Sequence, residues 1–158
     1  ILIHSFSKTY AMTGWRIGAV TGPSDLIKKM SLLHETITSC VPPFIQLAAA
    51  HVLEKDPLIS KPMILEYEKR RDMFMEGIAN LKHVTCVRPY GAFYAFANFS
   101  RLNQSSEYFS NSILESCHIA TCPGSYFGNA GEGFVRFCFA NSKENISEAL
   151  TRLAKNNY

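Results

Sequence analysis

The sequence predicts an α/β protein in two unequal parts joined by a long helix. Three observations carry the prediction. Apolar residues recur at helical 3–4 spacing in three stretches of the first half. Short apolar runs at 1–3 and 16–20 suit strands that flank a polar loop. After Leu81 the period changes, and short strands alternate with single helices to the end of the chain.

Residues 1–3 read as a short buried strand, 5–13 as a loop, and 16–20 as a second strand that stops at the turn signal Gly22-Pro23. Ser24 suits the cap of a helix with Leu26, Met30, Leu33 and Ile37 inward. Pro42-Pro43 opens the next helix, with Leu47, Ala48 and Val52 inward and Asp56-Pro57 as its stop. A longer helix is predicted over 60–81, its apolar stripe being Met63, Tyr67, Phe74, Ile78 and Leu81. Its wet side carries the pairs Glu66–Arg70 and Glu68–Arg71, so Lys69-Arg70-Arg71 reads as a solvated face rather than a nucleic-acid patch. Val84, Cys86 and residues 93–99 then suit strands interrupted by Pro89-Tyr90-Gly91. A helix follows with Phe109, Ile113 and Cys117 inward, then a short strand at 119–121, a glycine-rich loop, and a strand at 134–139. Asn141 with Glu144 suits a reciprocal cap of the last helix, which buries Ile146, Ala149, Leu150 and Leu153. The expected organisation is 1–56 as the end of a larger domain, 57–82 as a connecting helix and 83–158 as a small α/β domain.

Composition excludes several classes. At 158 residues, 47% hydrophobic and 18% charged, the chain can bury a core and is not disordered. A net charge of +3 is short of the basic footprint of a nucleic-acid binder. No apolar run approaches the ~18 residues that a membrane helix needs. The five cysteines are odd in number and form no C-x-x-C, which argues against a disulfide framework and for a reducing compartment, the cytoplasm. Cys117, His118 and Cys122 lack the further partners a metal site requires, so no metal is expected. The chain opens on Ile1-Leu2-Ile3 without Met or a charged leader, and is read as a fragment of a longer chain.

The densest chemical signal is the run from Ser5 to Gly18, S-F-S-K-T-Y-A-M-T-G-W-R-I-G. A lone Lys or Arg is ordinarily a surface cation. Here Lys8 and Arg16 lie eight residues apart, with hydroxyls at Ser5 and Ser7 and glycines at 14 and 18. Hydroxyls and a guanidinium fork suit a phosphate dianion, and glycines admit close backbone approach. A lysine amine in such a cationic pocket is a usable nucleophile for a Schiff base. Farther on, Arg136 is the one charge in the apolar stretch 134–140 and needs an anionic partner, whether a ligand, a structural carboxylate or solvent.

The run resembles the cofactor-lysine motif of the fold-type I pyridoxal-phosphate enzymes, in particular the class I/II aminotransferases of the aspartate aminotransferase superfamily. Two further stretches are similar to that family: Pro89-Tyr90-Gly91-Ala92-Phe93-Tyr94, and Cys122 to Gly128 followed by Gly131 to Phe137. The resemblance covers the chain in order and implies the C-terminal part of that transferase fold. It implies pyridoxal 5'-phosphate as cofactor, Lys8 as its covalent tether and catalytic amine, Ser5 and Arg16 as phosphate ligands, and Arg136 as the clamp on the substrate α-carboxylate. It further implies amino transfer between an L-amino acid and a 2-oxo acid, of aspartate or aromatic type, by a homodimer that engages neither nucleic acid nor membrane.

Family members carry other cofactor-binding groups ahead of the lysine motif: a carboxylate for the pyridine nitrogen, a tyrosine and a glycine-rich loop. None maps onto this sequence, so the chain alone is expected to be an incomplete site. Two readings stay open beside amino transfer: C–S lyase chemistry with the same cofactor, and the effector domain of a transcription regulator. Tyr94 and Trp15 either border the substrate pocket or pack.

Overall fold

The chain divides into two compact units, Ile1–Ile64 and Leu65–Tyr158. The computed structural model describes residues 1–156.

In the first unit, β1 (Leu2–Ser5) and β2 (Gly18–Thr21) form an antiparallel ribbon running from Leu2↔Thr21 to Ser5↔Gly18. Between them lie the single-turn helix α1 (Phe6–Thr9) and the loop that returns the chain. Then come α2 (Ser24–Thr38) and α3 (Pro43–Lys55). Ser24 is the first residue of α2 rather than its cap: Pro23 occupies the cap position, and its carbonyl accepts from Leu26 and Ile27 N–H. Pro43 sits in the first turn of α3, where a missing N–H costs nothing. Asp56 ends that helix as expected.

The core of this unit is small. Phe6, Met12 and Ala49 are buried, with Tyr10, Ile17, Ala48 and Val52 against them. The apolar faces expected to be inward are largely open. No residue of α2 is buried, Ile37 is 69% exposed, and Leu47 of α3 is 71% exposed. The strand at the start of the chain forms, but Ile1, Leu2 and Ile3 are exposed rather than buried. Periodicity identifies which face is apolar; it does not say whether these residues have a neighbour to cover it.

Helix α4 (Ser60–Ala79) spans the division between units, and its Phe74 and Ile78 belong to the core of the second. The second unit holds a four-stranded antiparallel sheet in the order β3-β4-β6-β5. Its strands are β3 (Thr85–Cys86), β4 (Tyr94–Asn98), β5 (Cys122–Pro123) and β6 (Phe134–Cys138). The long ladder is β4 against β6, registered from Tyr94↔Cys138 to Asn98↔Phe134. Both strands alternate. Ala95, Ala97, Val135 and Phe137 are buried, whereas Tyr94, Phe96, Phe134 and Arg136 are half-buried. The inward set packs with Phe74 and Ile78 of α4, with Phe109, Ile113 and Cys117 of α5 (Ser106–Cys117), and with Ile146 and Leu153 of α6 (Lys143–Lys155). The result is one layer of helices on one face of the sheet.

Several local expectations change. Residues 119–121 form no strand; the edge strand is the next two residues, Cys122–Pro123. The last helix is capped by Ser142, whose hydroxyl accepts from Asn145 N–H, while the Asn141 side chain accepts from Ser142 N–H and from the Asn145 amide. The pair Glu66–Arg70 forms at 2.9 Å. Arg71 bonds the carboxylate of its neighbour Asp72 rather than that of Glu68.

Two predictions follow from this packing. Ile113 is fully buried in the core, so Ile113→Ala should cost about 3 kcal/mol in a urea unfolding series. Hydrogen bonds from Arg70 to Glu66 and from Arg71 to Asp72 lead the causes that hold both carboxyls below their ordinary range. The folded state therefore binds these protons less readily than the unfolded chain. Their contribution is present above the ordinary carboxylate pKa and is lost as pH falls through the lowered values. Glu66→Gln and Asp72→Asn should each flatten the acid side of a stability-versus-pH curve.

Candidate functional site

The lysine loop is built from the inside out. Phe6 and Met12 are buried beside Ala49, and these anchors draw the intervening residues into a tight turn. Met12 N–H and Tyr10 N–H donate to Phe6 O, and Thr13 Oγ1 donates to Ser7 O at 3.1 Å. Tyr10 lies against Phe6 with ring centroids 5.5 Å apart. Burial, with a smaller contribution from the Asp56 charge, raises the Tyr10 hydroxyl above its ordinary pKa.

Ser5 caps α1, its hydroxyl accepting from Ser7 N–H at 3.3 Å. Lys8 lies in that turn and is exposed. Arg16 is returned to this stretch by the ribbon, because Ser5 pairs with Gly18 and Phe6 N–H donates to Ile17 O. The return needs a glycine: a Cβ on Gly18 would lie 2.9 Å from His4 O. Gly14, by contrast, stands in open space.

Two of the six non-glycine positive-φ positions among the described residues lie in the same loop. Ala11 and Arg16 have φ of 54° and 53°, a region that ordinary residues seldom adopt. Such positions persist only where their surroundings hold them, and they gather at functional sites. In this conformation Arg16 Nη1 donates to Thr13 O at 3.1 Å. The loop thus brings a hydroxyl, a primary amine and a guanidinium onto one short, pinned stretch. Its donor set suits a phosphorylated carbonyl compound: the guanidinium and hydroxyl for the phosphate, the amine for the carbonyl carbon. Trp15 is 43% exposed and packs into no core. A separate cleft of about 890 Å³, lined by residues that include Ile17, Gly18, His34 and Glu35, includes none of Ser5, Lys8 and Arg16.

The second unit places Arg136 on the open face of its sheet, in β6. The partner demanded by a lone cation in an apolar strand proves to be aromatic. The guanidinium lies 4.4 Å from the ring centre of Tyr94 and 4.7 Å from that of Phe127. Among the described residues no carboxylate pairs with it. Tyr94, for which bordering a pocket and packing were both open readings, lies against Arg136. Phe127 was not singled out, because it arrives from the glycine-rich loop, on a 3₁₀ turn at Gly124–Phe127. That turn is set by a close backbone approach: a Cβ on Gly124 would lie 2.2 Å from Gly131 O. Buried Ser106 ties the same loop down, donating to Gly131 O and accepting from Gly133 N–H.

Comparison with known proteins matches the chain to a family. The family model described as aminotransferase class I and II matches residues 1–153. The chain is 42% identical over 157 residues to an aspartate aminotransferase of Pyrococcus horikoshii, and 38% identical to an aromatic-amino-acid aminotransferase of Thermococcus litoralis. In both cases 98% of this chain aligns with 40% of the relative, so the chain spans about two fifths of the length of these curated proteins. Among solved structures, an aromatic aminotransferase from Pyrococcus horikoshii superposes with a TM-score of 0.89 at 38% identity, covering 98% of this chain and 42% of that one. An aspartate aminotransferase from Rhizobium meliloti superposes with a TM-score of 0.86 at 33% identity, covering 97% and 40%. With a family model matched along nearly its whole length, the chain belongs to the class I and II aminotransferases.

Proposed function

We propose that this chain supplies the cofactor lysine and the carboxylate-binding arginine of a pyridoxal 5'-phosphate-dependent enzyme that moves an amino group between an L-amino acid and a 2-oxo acid. The observation that carries the reading is the pinned loop at 5–18, which holds Ser5, Lys8 and Arg16 on one short stretch. In this reading Ser5 and the Arg16 fork hold the cofactor phosphate, and Lys8 Nζ holds its carbonyl carbon in the resting enzyme. When bound, pyridoxal 5'-phosphate supplies the electron-withdrawing ring that acidifies the substrate Cα–H. With the cofactor bound, Lys8 would be the amine that holds it and, when free, the base that takes the proton from the substrate Cα and the acid that gives it back. Arg136 holds the α-carboxylate through parallel N–H bonds and fixes the direction of the Cα–H bond.

The names of the relatives support a substrate of aspartate or aromatic type. We read residues 1–56 as part of the large cofactor-binding domain, 57–82 as the connecting helix and 83–158 as the small domain of a homodimeric enzyme. The open apolar faces of α2 and α3 support placing the first unit within a larger body. Five free thiols support a cytoplasmic setting. With two fifths of the relatives' length, the chain by itself is read as inactive.

The test uses the full-length enzyme. Lys8→Ala should lower amino transfer by at least about 10³-fold, and borohydride should fix the cofactor to the wild-type chain at position 8 only. Transfer that survives the substitution, or a label elsewhere, overturns the assignment. Arg136→Lys, which keeps the charge but loses the fork, should lower kcat/KM by about 10- to 100-fold, the worth of one or two charge-assisted hydrogen bonds.

A further inference from the structure

Four arginines of the second unit are half-buried: Arg70, Arg71, Arg136 and Arg152. Three of them bond a carboxylate, of Glu66, Asp72 and Glu148 respectively. Arg136 alone among these has no carboxylate partner in the described residues, and its guanidinium carbon lies instead over two rings, those of Tyr94 and Phe127. Rings bind a guanidinium through its faces, by the attraction between the cation and the negative π cloud. They leave unspent the N–H donors that lie in the guanidinium plane.

Each ring is itself braced. Tyr94 packs on Phe93 with centroids 4.8 Å apart, and Phe93 stacks on Tyr67 at 5.5 Å. Phe127 meets Phe96 edge to face at 5.9 Å, and Phe96 stacks on Phe134 at 5.0 Å with the planes 12° apart. The ladder sets these positions. Phe96 is the cross-strand partner of Arg136, and Tyr94 lies two residues along on the same face.

We propose that Tyr94 and Phe127 are positioning residues that hold the Arg136 guanidinium by its two faces, keeping its in-plane N–H donors unpaired for an incoming carboxylate. The proposal rests on the reading of Arg136 as the carboxylate-binding group. An acidic side chain in the same place would orient the arginine equally well, but it would occupy the donors the substrate needs. Two rings orient it without competing. They also keep water from its faces, which strengthens the ion pair that the carboxylate forms.

The experiment uses the full-length enzyme loaded with cofactor, and two non-reacting carboxylates as probes, maleate and 3-phenylpropionate. Binding is followed through the change in cofactor absorbance. Tyr94→Met and Phe127→Met replace a ring by an apolar chain. Both side chains reach the surface, Phe127 being 53% exposed. Each variant should weaken probe binding about 3- to 10-fold, with a matching rise in KM and kcat kept within about twofold. Tyr94→Phe and Phe127→Tyr keep the rings and should bind the probes within about twofold of wild type. Tyr94→Leu and Phe127→Leu, prepared in parallel, give the same comparison should a Met variant fail to fold. Wild-type affinity in the ringless variants, while Arg136→Lys weakens binding, overturns the positioning role and leaves the assignment of Arg136 standing. Equal losses in ringless and ring-keeping variants overturn it as well, since the ring is then irrelevant. Unchanged affinity in Arg136→Lys removes the carboxylate assignment and the positioning role with it.

Discussion

The two-residue period of the β4–β6 ladder governs the second unit. Because successive side chains leave a strand on opposite sides, one set of residues meets the helices and the next set faces away. Ala95, Ala97, Val135 and Phe137 close the core against α4, α5 and α6. The intervening positions collect Tyr94, Phe96, Phe134 and Arg136 on the other face. A slip of one residue in β6 would put the guanidinium into the hydrocarbon core and Phe137 into water. The same register that stabilises the unit therefore also exposes its one carboxylate-free, half-buried arginine, with the aromatic residues that flank it.

The first unit obeys a different constraint, the burial of two anchors in a very short segment. Phe6 and Met12 go down beside Ala49 of α3, and the residues between them turn sharply enough that Ala11 takes a left-handed backbone angle, as Arg16 does where the chain returns to β2. The ribbon closes the loop, since Ser5 pairs with Gly18 and no side chain fits at 18 without displacing His4 O. Strain held by such packing sharpens geometry: fewer backbone conformations are open to the residues that carry the hydroxyl, the amine and the guanidinium.

Much of this was legible in the residues themselves. The order of helices and strands in the second unit follows from the change of period after Leu81, and the apolar stripe of α4 continues into its core through Phe74, Ile78 and Leu81. The cap of α6 was misplaced by one residue, because Asn141 and Ser142 are both good cap formers and only the backbone turn chooses between them. A strand at 119–121 was expected from its apolar content, yet pairing starts at Cys122, where β6 offers Val135 and Arg136 as partners. The solvated face assigned to the basic cluster in α4 held only in part, since Arg70 and Arg71 are half-buried and paired.

By itself the sequence determined the chemistry available: an amine at 8, guanidiniums at 16 and 136, and the spacing that marks them as a set. It also determined which faces of α2 and α3 are apolar, because helical period is a property of the chain alone. Tertiary structure decided what those groups meet. It left Leu47 and Ile37 largely exposed, since burial depends on a neighbour and not on hydrophobicity. It gave Arg136 two rings in place of a carboxylate, because Phe127 comes from a loop folded back by the Gly124–Gly131 approach, and the distance between residues far apart in sequence is fixed only when the chain packs.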